Sequence, residues 1–338
     1  MKKSVTVKAE DRFVERLREM LPASERVPVG PGDDAAVVRV ESGDLVVTTD
    51  LIVEGVDFLP ETDPETIGRR ALAVNLSDLA AMGARPEFFL LSIGFSAEKG
   101  EDFPLALARG ALSRARPLGV NLIGGDLSSC PQTVVSIALW GCAQFRPALR
   151  SGASAGDLLF VSGFPGRASA GLCLARRLAA GPGGAAGLAR EKAGELLAAY
   201  RDPEPRVALG LELSRRHLWS AAIDVSDGIG VDAARLARAS GLRAVIEKAS
   251  LPVSPALAAF GALENKESLD WILGGGDDYE LLFAAPESAL SAIETLASRE
   301  VPITPIGRLE EGDGVLLRDG AKERDVSSLG HDHLEKGR

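Results

Sequence analysis

The chain has 338 residues, 46% hydrophobic and 25% charged, which is enough for two domains, each with its own core. A formal net charge of −10 argues against a nucleic-acid binder, which needs a basic face, but still admits a small anionic ligand escorted by metal ions. Cys130, Cys142 and Cys173 stand in apolar surroundings without C-x-x-C spacing, so buried reduced thiols are expected, with neither a disulfide scaffold nor a zinc site.

The N-terminal stretch MKKSVTVKAEDRF carries lysines but lacks the apolar run of a signal peptide. No window reaches the length of a membrane span, so a cytoplasmic protein is expected. Helical spacing predicts a helix at DRFVERLREML (11–21). The valine-rich AAVVRV (35–40) and DLVVTTD (44–50) read as paired strands across the turn ESGD. An Asp-Pro-Glu start and a stop at Gly83 frame a helix within 63–86. Strand, helix, strand and strand follow at 87–95, 103–119, 120–125 and 133–145, and polar RPALRSGASAGD (146–157) reads as a crossing between domains.

Beyond it come a strand at 158–163, a helix at 167–181 and a Gly/Ala-rich loop at 181–190 that feeds a further helix. A strand and turn are expected at 221–230, a helix at 231–241, and strands at 243–249 and 279–285. The early strands come in adjacent pairs, which favours α/β (α+β) domains with mixed sheets over a pure doubly wound sheet. The expected division is an N-terminal domain at 1–148 and a C-terminal α/β domain at 149–338. No repeat with a period of twenty to fifty residues is present.

Five places combine Asp with Gly, Ser or Thr beside a strand end or on a small-residue helix: GDDAAV (Asp33, Asp34), TTD (Thr48, Thr49, Asp50), NLSDLAAMG (Asp78), GGD (Asp126) and DVSDG (Asp224, Ser226, Asp227). Any one alone reads as a turn or helix cap. Asp78 is harder to explain that way, because at helical spacing it shares a face with Ala71, Val74, Asn75 and Met82, where a carboxylate needs a cation or strong donors. Taken together the acids have few Lys or Arg among them and no His, which points to oxygen-seeking divalent cations such as Mg²⁺ and away from zinc or copper. Glycines beside them allow the close backbone approach that phosphates require.

No P-loop and no protein-kinase signature occurs. Gly228-x-Gly230-x-x-Ala233, with Glu247 further on, mimics a dinucleotide fingerprint. Asp227 abuts its first glycine, however, where a bare carboxylate repels a pyrophosphate, so the metal reading is preferred.

GDDAAVV, TTDLIVEGVDF, GRRALAVNLSDLAAMGARP, LIGGD, RSGASAGD, DVSDGIGVDAARLA and GGGDDYELLF together resemble the thiamine-monophosphate kinases, in that family's order and over most of residues 30–285. The wider superfamily includes aminoimidazole ribonucleotide synthetase. The resemblance implies a two-domain fold of that type, with an N-terminal mixed-sheet domain that binds ATP and Mg²⁺ and pairs into a homodimer. It also implies direct transfer of the ATP γ-phosphoryl group onto thiamine monophosphate. Carried over by position, Asp34, Thr48, Thr49, Asp50, Asp78, Asp126, Asp224 and Asp227 look like metal ligands. Gly125, Asp126, Arg150 and Ser226 look like nucleotide contacts, and Asp57, Asp277 and His331 occupy substrate positions. Asp33 ranks below Asp34, since adjacent acids on an extended chain point apart.

Phosphoryl transfer onto an anionic phosphate needs alignment and charge neutralisation, so no catalytic nucleophile is named. Four positions depart from the family pattern. Asp57 replaces a histidine, Asp277 a glutamate one methylene longer, Ala108 a tyrosine near the nucleotide, and His331 an aromatic. A mobile tail is expected at His331 and His333 in preference to a metal pair, and His217 and the tryptophans read as structural. Two other readings stand beside the leading one: a related ATP-dependent kinase or synthetase with another small acceptor, and a nucleotide-binding regulator without turnover.

Overall fold

The computed structural model describes residues 36–40, 43–100, 102–181 and 184–332. The helix expected at 11–21, together with Asp33, Asp34 and His333, lies outside the described residues.

Strands β1 (Ala36–Val40), β2 (Gly43–Val53), β3 (Arg85–Phe95), β4 (Asn121–Ser129) and β5 (Val134–Ala143) form one sheet in the order β1-β2-β5-β3-β4. Every neighbouring pair is antiparallel except β3 with β4, so the sheet is mixed as expected. β2 differs from the sequence reading in its length. It continues past Asp50 because Leu51, Ile52 and Val53 keep their pairing with Ser136, Val135 and Val134 of β5. In the same way β4 runs past Asp126 to Ser129, held by the parallel ladder to β3. Asp50 and Asp126 therefore sit inside strands, not at strand ends.

Helix α1 (Pro64–Ala81) starts where Asp63 accepts the Thr66 amide at 2.9 Å with Pro64 in the first turn. It stops at Gly83, whose φ of +65° a side chain tolerates poorly. Nearly every residue of α1 is buried, because the helix lies between the first sheet and the rest of the molecule. Small residues make this possible. A Cβ on Gly68 would meet the Leu107 carbonyl at 1.9 Å, so α1 and α2 (Asp102–Ala115) touch backbone to backbone.

The second sheet has the order β12-β11-β8-β10-β6-β9-β7, with β8 and β11 its parallel pair. Its strands are β6 (Leu158–Ser162), β7 (Ala221–Val225), β8 (Arg243–Glu247), β9 (Glu280–Ala285), β10 (Ile303–Glu310), β11 (Val315–Asp319) and β12 (Lys322–Asp325). Helices α3 (Arg167–Ala180), α4 (Arg190–Arg201), α5 (Val207–Arg215), α6 (Ile229–Ala239), α7 (Pro255–Glu264) and α8 (Ser268–Gly274) surround it. α5, α7, α8 and β10–β12 go beyond the elements expected from the sequence. One apolar cluster joins the first sheet and α1 to Phe160, Leu281 and Phe283 of the second sheet, while the other fills that sheet's far side. The three cysteines are unpaired as expected but only half-buried. His217 packs edge-on against Phe145, and Trp140, Trp219 and Trp271 each pack against a phenylalanine. Among the described residues no helix is long and apolar enough to cross a membrane.

Candidate functional site

Where α1 meets the second sheet, a cleft of about 660 Å³ opens. Asp50 and Ile52 of β2 and Val74 and Asp78 of α1 line one side. Asp224, Ser226 and Asp227 at the end of β7, the glycine-rich loop 274–277, Tyr279, and Gly330 and His331 line the other. Asp57 and Arg176 also line the cleft, among apolar residues such as Leu51, Val56 and Leu172, and Arg176 supplies the guanidinium among the described lining residues. Four of the acids singled out by type and spacing, Asp50, Asp78, Asp224 and Asp227, thus share one cavity with Ser226 and with Asp57, Asp277 and His331, the positions that the resemblance marked.

Neutral donors hold several of the acids. Thr48 donates its hydroxyl to Asp78. Ser77, fully buried on α1, donates to Asp224 across the domains at 2.8 Å. The Asp50 amide donates to Asn75 at 3.1 Å, and Asn75 in turn donates to the Ala71 carbonyl. One turn of α1 therefore orders acids from both sides of the cleft. The two hydroxyls orient the Asp78 and Asp224 carboxylates without themselves carrying charge, while the Asn75 contact fixes the Asp50 backbone.

Arg235 pairs with Asp227. Arg235 also holds Asp232 at 2.9 Å, and Asp232 accepts the Asp227 amide at 3.0 Å. Burial pushes the Asp232 carboxyl upward, opposed by Arg235 and reinforced by the charge of Asp227. The expectation that the clustered acids lack cationic partners is corrected here, since Arg235, one helical turn beyond Asp232, faces both.

Other expected residues separate. Thr48 is buried and Thr49 exposed, because successive strand residues point to opposite faces. The Thr49 hydroxyl donates to the Ile137 carbonyl at 2.9 Å, so its side chain is not part of the cleft. Gly125 and Asp126 line a second groove of about 500 Å³, between α2 and edge strand β4, together with Ala108. Arg150 lies half-buried in the crossing segment, its carbonyl accepting from Ser240 at 3.2 Å, and its charge lowers the Asp232 pKa. Among the described residues no three His, Cys, Asp or Glu side chains converge as a ready ion site.

Two of the expected substrate positions are held by backbone hydrogen bonds. Asp57 accepts the Val53 amide at 2.7 Å while its own amide donates to the Val53 carbonyl at 2.9 Å, closing the loop after β2. His331 is not the free tail expected. Its amide donates to the Asp227 carbonyl at 2.9 Å, and a Cβ on Gly330 would stand 2.8 Å from that same oxygen. The glycines of the apparent dinucleotide fingerprint also have a packing reason. Gly228, at φ +107°, lies against the carbonyls of Leu273 and Gly275, where a Cβ would come within 2.8 Å. The sequence reading missed Arg70 and Tyr279, which bracket Asp277. The signal was an arginine at position 70 of an apolar helix, on the face it shares with Val74 and Asp78.

The geometry is that of a two-domain AIR synthase-related protein. The family models described as AIR synthase related protein, N-terminal domain and C-terminal domain match residues 32–143 and 154–319. Thiamine-monophosphate kinase of Escherichia coli (strain K12) is 35% identical over 329 residues, covering 96% of each chain. The solved structure described as AaThiL complexed with AMPPCP and TMP superimposes with a TM-score of 0.80 at 28% identity, covering 97% of this chain and 100% of that one. Thiamine-monophosphate kinase from Stenotrophomonas maltophilia K279a superimposes with a TM-score of 0.74 at 36% identity, covering 93% of this chain and 98% of that one. The chain belongs to the thiamine-monophosphate kinase family.

Proposed function

We propose that this chain transfers the γ-phosphoryl group of ATP directly onto the phosphate of thiamine monophosphate, releasing ADP and forming thiamine diphosphate. In that transfer the bond from the γ-phosphorus to the bridging oxygen of ADP breaks. A bond from the same phosphorus to an acceptor phosphate oxygen forms. The observation that carries the reading is the convergence of Asp50, Asp78, Asp224 and Asp227 with Asp57, Asp277 and His331 in one cleft. The acceptor is already an anion, so no residue need act as nucleophile or strong base.

Mg²⁺ is the cofactor that suits this donor set. Asp34, Asp50, Asp78, Asp126, Asp224 and Asp227, with the Thr48 hydroxyl, offer hard oxygen ligands, and the hydroxyls on Asp78 and Asp224 leave their negative charge in place. When bound, such ions supply the neutralisation that lets two anions approach in line. We assign Ser226 and Arg150 to the nucleotide phosphates, and Gly125 and Asp126 to the nucleotide within the groove that Ala108 widens. Asp57, Asp277 and His331 are assigned to the acceptor.

We further propose a cytoplasmic homodimer formed through the first sheet. Its outward face and edge expose Leu51, Ile123 and Leu127, each more than half accessible, and exposed apolar strands are normally paired or covered. Asp57 and Ala108 favour a second reading, in which the same ATP chemistry serves another small acceptor. ATP-dependent transfer measured against a panel of phosphate and amine acceptors decides between them. Turnover restricted to acceptors other than thiamine monophosphate would overturn the first reading.

A further inference from the structure

We infer that Arg70 is a positioning residue that sets the acceptor wall of the cleft by holding Asp277. The inference rests on the assignment of Asp277 to the acceptor. Arg70 belongs to α1 and is 1% exposed, yet it reaches across to the loop before β9 and pairs with Asp277 Oδ1 at 2.8 Å. The Tyr279 hydroxyl donates to the same oxygen at 2.9 Å. A second guanidinium nitrogen donates to the Tyr200 carbonyl of α4, and the Arg70 guanidinium lies 5.2 Å from the Tyr200 ring centre and 6.0 Å from that of Tyr279. A planar fork can satisfy these partners together, which a lysine cannot.

The loop that Arg70 grips needs holding. Asp277 and Tyr279 have φ of +69° and +51°, the left-handed region that side chains avoid, so the surroundings must fix them. Their amides donate to the carbonyls of Ser226 and Val225 at 2.8 Å each, which ties the loop to the strand end carrying Asp224. Asp278 accepts the amides of Gly166 and Ala168 at the start of α3. Arg70 adds the clamp from α1, the helix that carries Asp78. Both side-chain contacts use Oδ1, which leaves Oδ2 of Asp277 to meet the acceptor. The shorter aspartate is thereby fixed from behind by the long guanidinium, and the helix that grips the acceptor wall through Arg70 also carries Asp78.

The test is an exchange of reach between the two partners. Arg70→Lys should raise the KM for thiamine monophosphate about tenfold, with the KM for ATP unchanged, because a misplaced contact is lost only toward the acceptor. Adding Asp277→Glu should recover most of that loss, and Asp277→Glu alone should weaken acceptor binding. Tyr279→Phe, which removes one contact on Oδ1 with little change in packing, should raise the same KM about threefold. Hydrogen exchange at residues 276–280 should quicken in Arg70→Lys and slow again in the double variant. A residue of purely structural importance would lower the melting temperature and both KM values together, without recovery. That pattern, or an unchanged acceptor KM with the loop still protected, overturns the inference. If the wild type fails to use thiamine monophosphate, the acceptor reading falls instead, and the exchange measurements still judge Arg70.

Discussion

Asp57 permits a prediction whose magnitude can be worked through. Its carboxylate closes the loop after β2 by accepting the Val53 amide at 2.7 Å, and it also lines the cleft. Asp57→Asn keeps an oxygen for that amide while removing the negative charge and supplying a donor. For an acceptor phosphate about 6 Å away at an effective dielectric constant of about 40, the repulsion removed is about 1.4 kcal/mol, or tenfold in acceptor KM. Asp57→His should gain as much toward the phosphate but leave the Val53 amide without its partner, at a cost of about 1 kcal/mol in stability. Initial rates of thiamine diphosphate formation at saturating ATP, together with thermal melts, separate the two variants. The asparagine form should bind acceptor better with an unchanged melting temperature, the histidine form better but with a lower one. The KM for ATP should stay constant in both. A rise in acceptor KM for Asp57→Asn would refute the reasoning. The carboxylate would then be holding the cationic ring of the acceptor, not repelling its phosphate.

Asp224→Asn or Asp50→Asn should reduce transfer more than about a hundredfold with the fold retained, since Ser77 and Asn75 can still bond these positions. Mg²⁺ at a hundred times its Kd should stabilise the wild type by about 2.7 kcal/mol, and turnover in excess chelator would contradict the assignment. Burial raises the Asp278 carboxyl from 3.8 to about 7, against the two amides that favour its anion. The folded form therefore holds this proton while the unfolded chain releases it, so stability declines as the pH rises from about 4 to 7, by on the order of 2 kcal/mol given some remaining solvent contact. Asp278→Asn should remove that segment of the melting profile, and a variant with the same pH dependence would exclude Asp278 as its source. Sedimentation should show a dimer at micromolar concentration that Leu51→Glu weakens, whereas a wild-type monomer would count against sheet-to-sheet pairing.

Local chemistry was enough to read much of this protein. The Asp63-Pro64 start and the Gly83 stop of α1 were legible because caps act within one turn. The valine-rich early strands were legible from their composition, and the acids from their residue types beside glycine, serine and threonine. Which acids share a cavity was not legible, because that depends on how two sheets are placed about α1. Strand pairing carried β2 and β4 beyond Asp50 and Asp126, whereas the opposite facing of Thr48 and Thr49 follows from strand alternation alone. Asp227 drew its cation from a helical neighbour, and His331 was held by a backbone amide. Arg70 and Asp277 are 207 residues apart in sequence and 2.8 Å apart in space, a partnership no local pattern encodes. A side chain's type and its face of an element follow from neighbours within a few residues, whereas its partner across the cleft follows from the burial of α1 between two sheets.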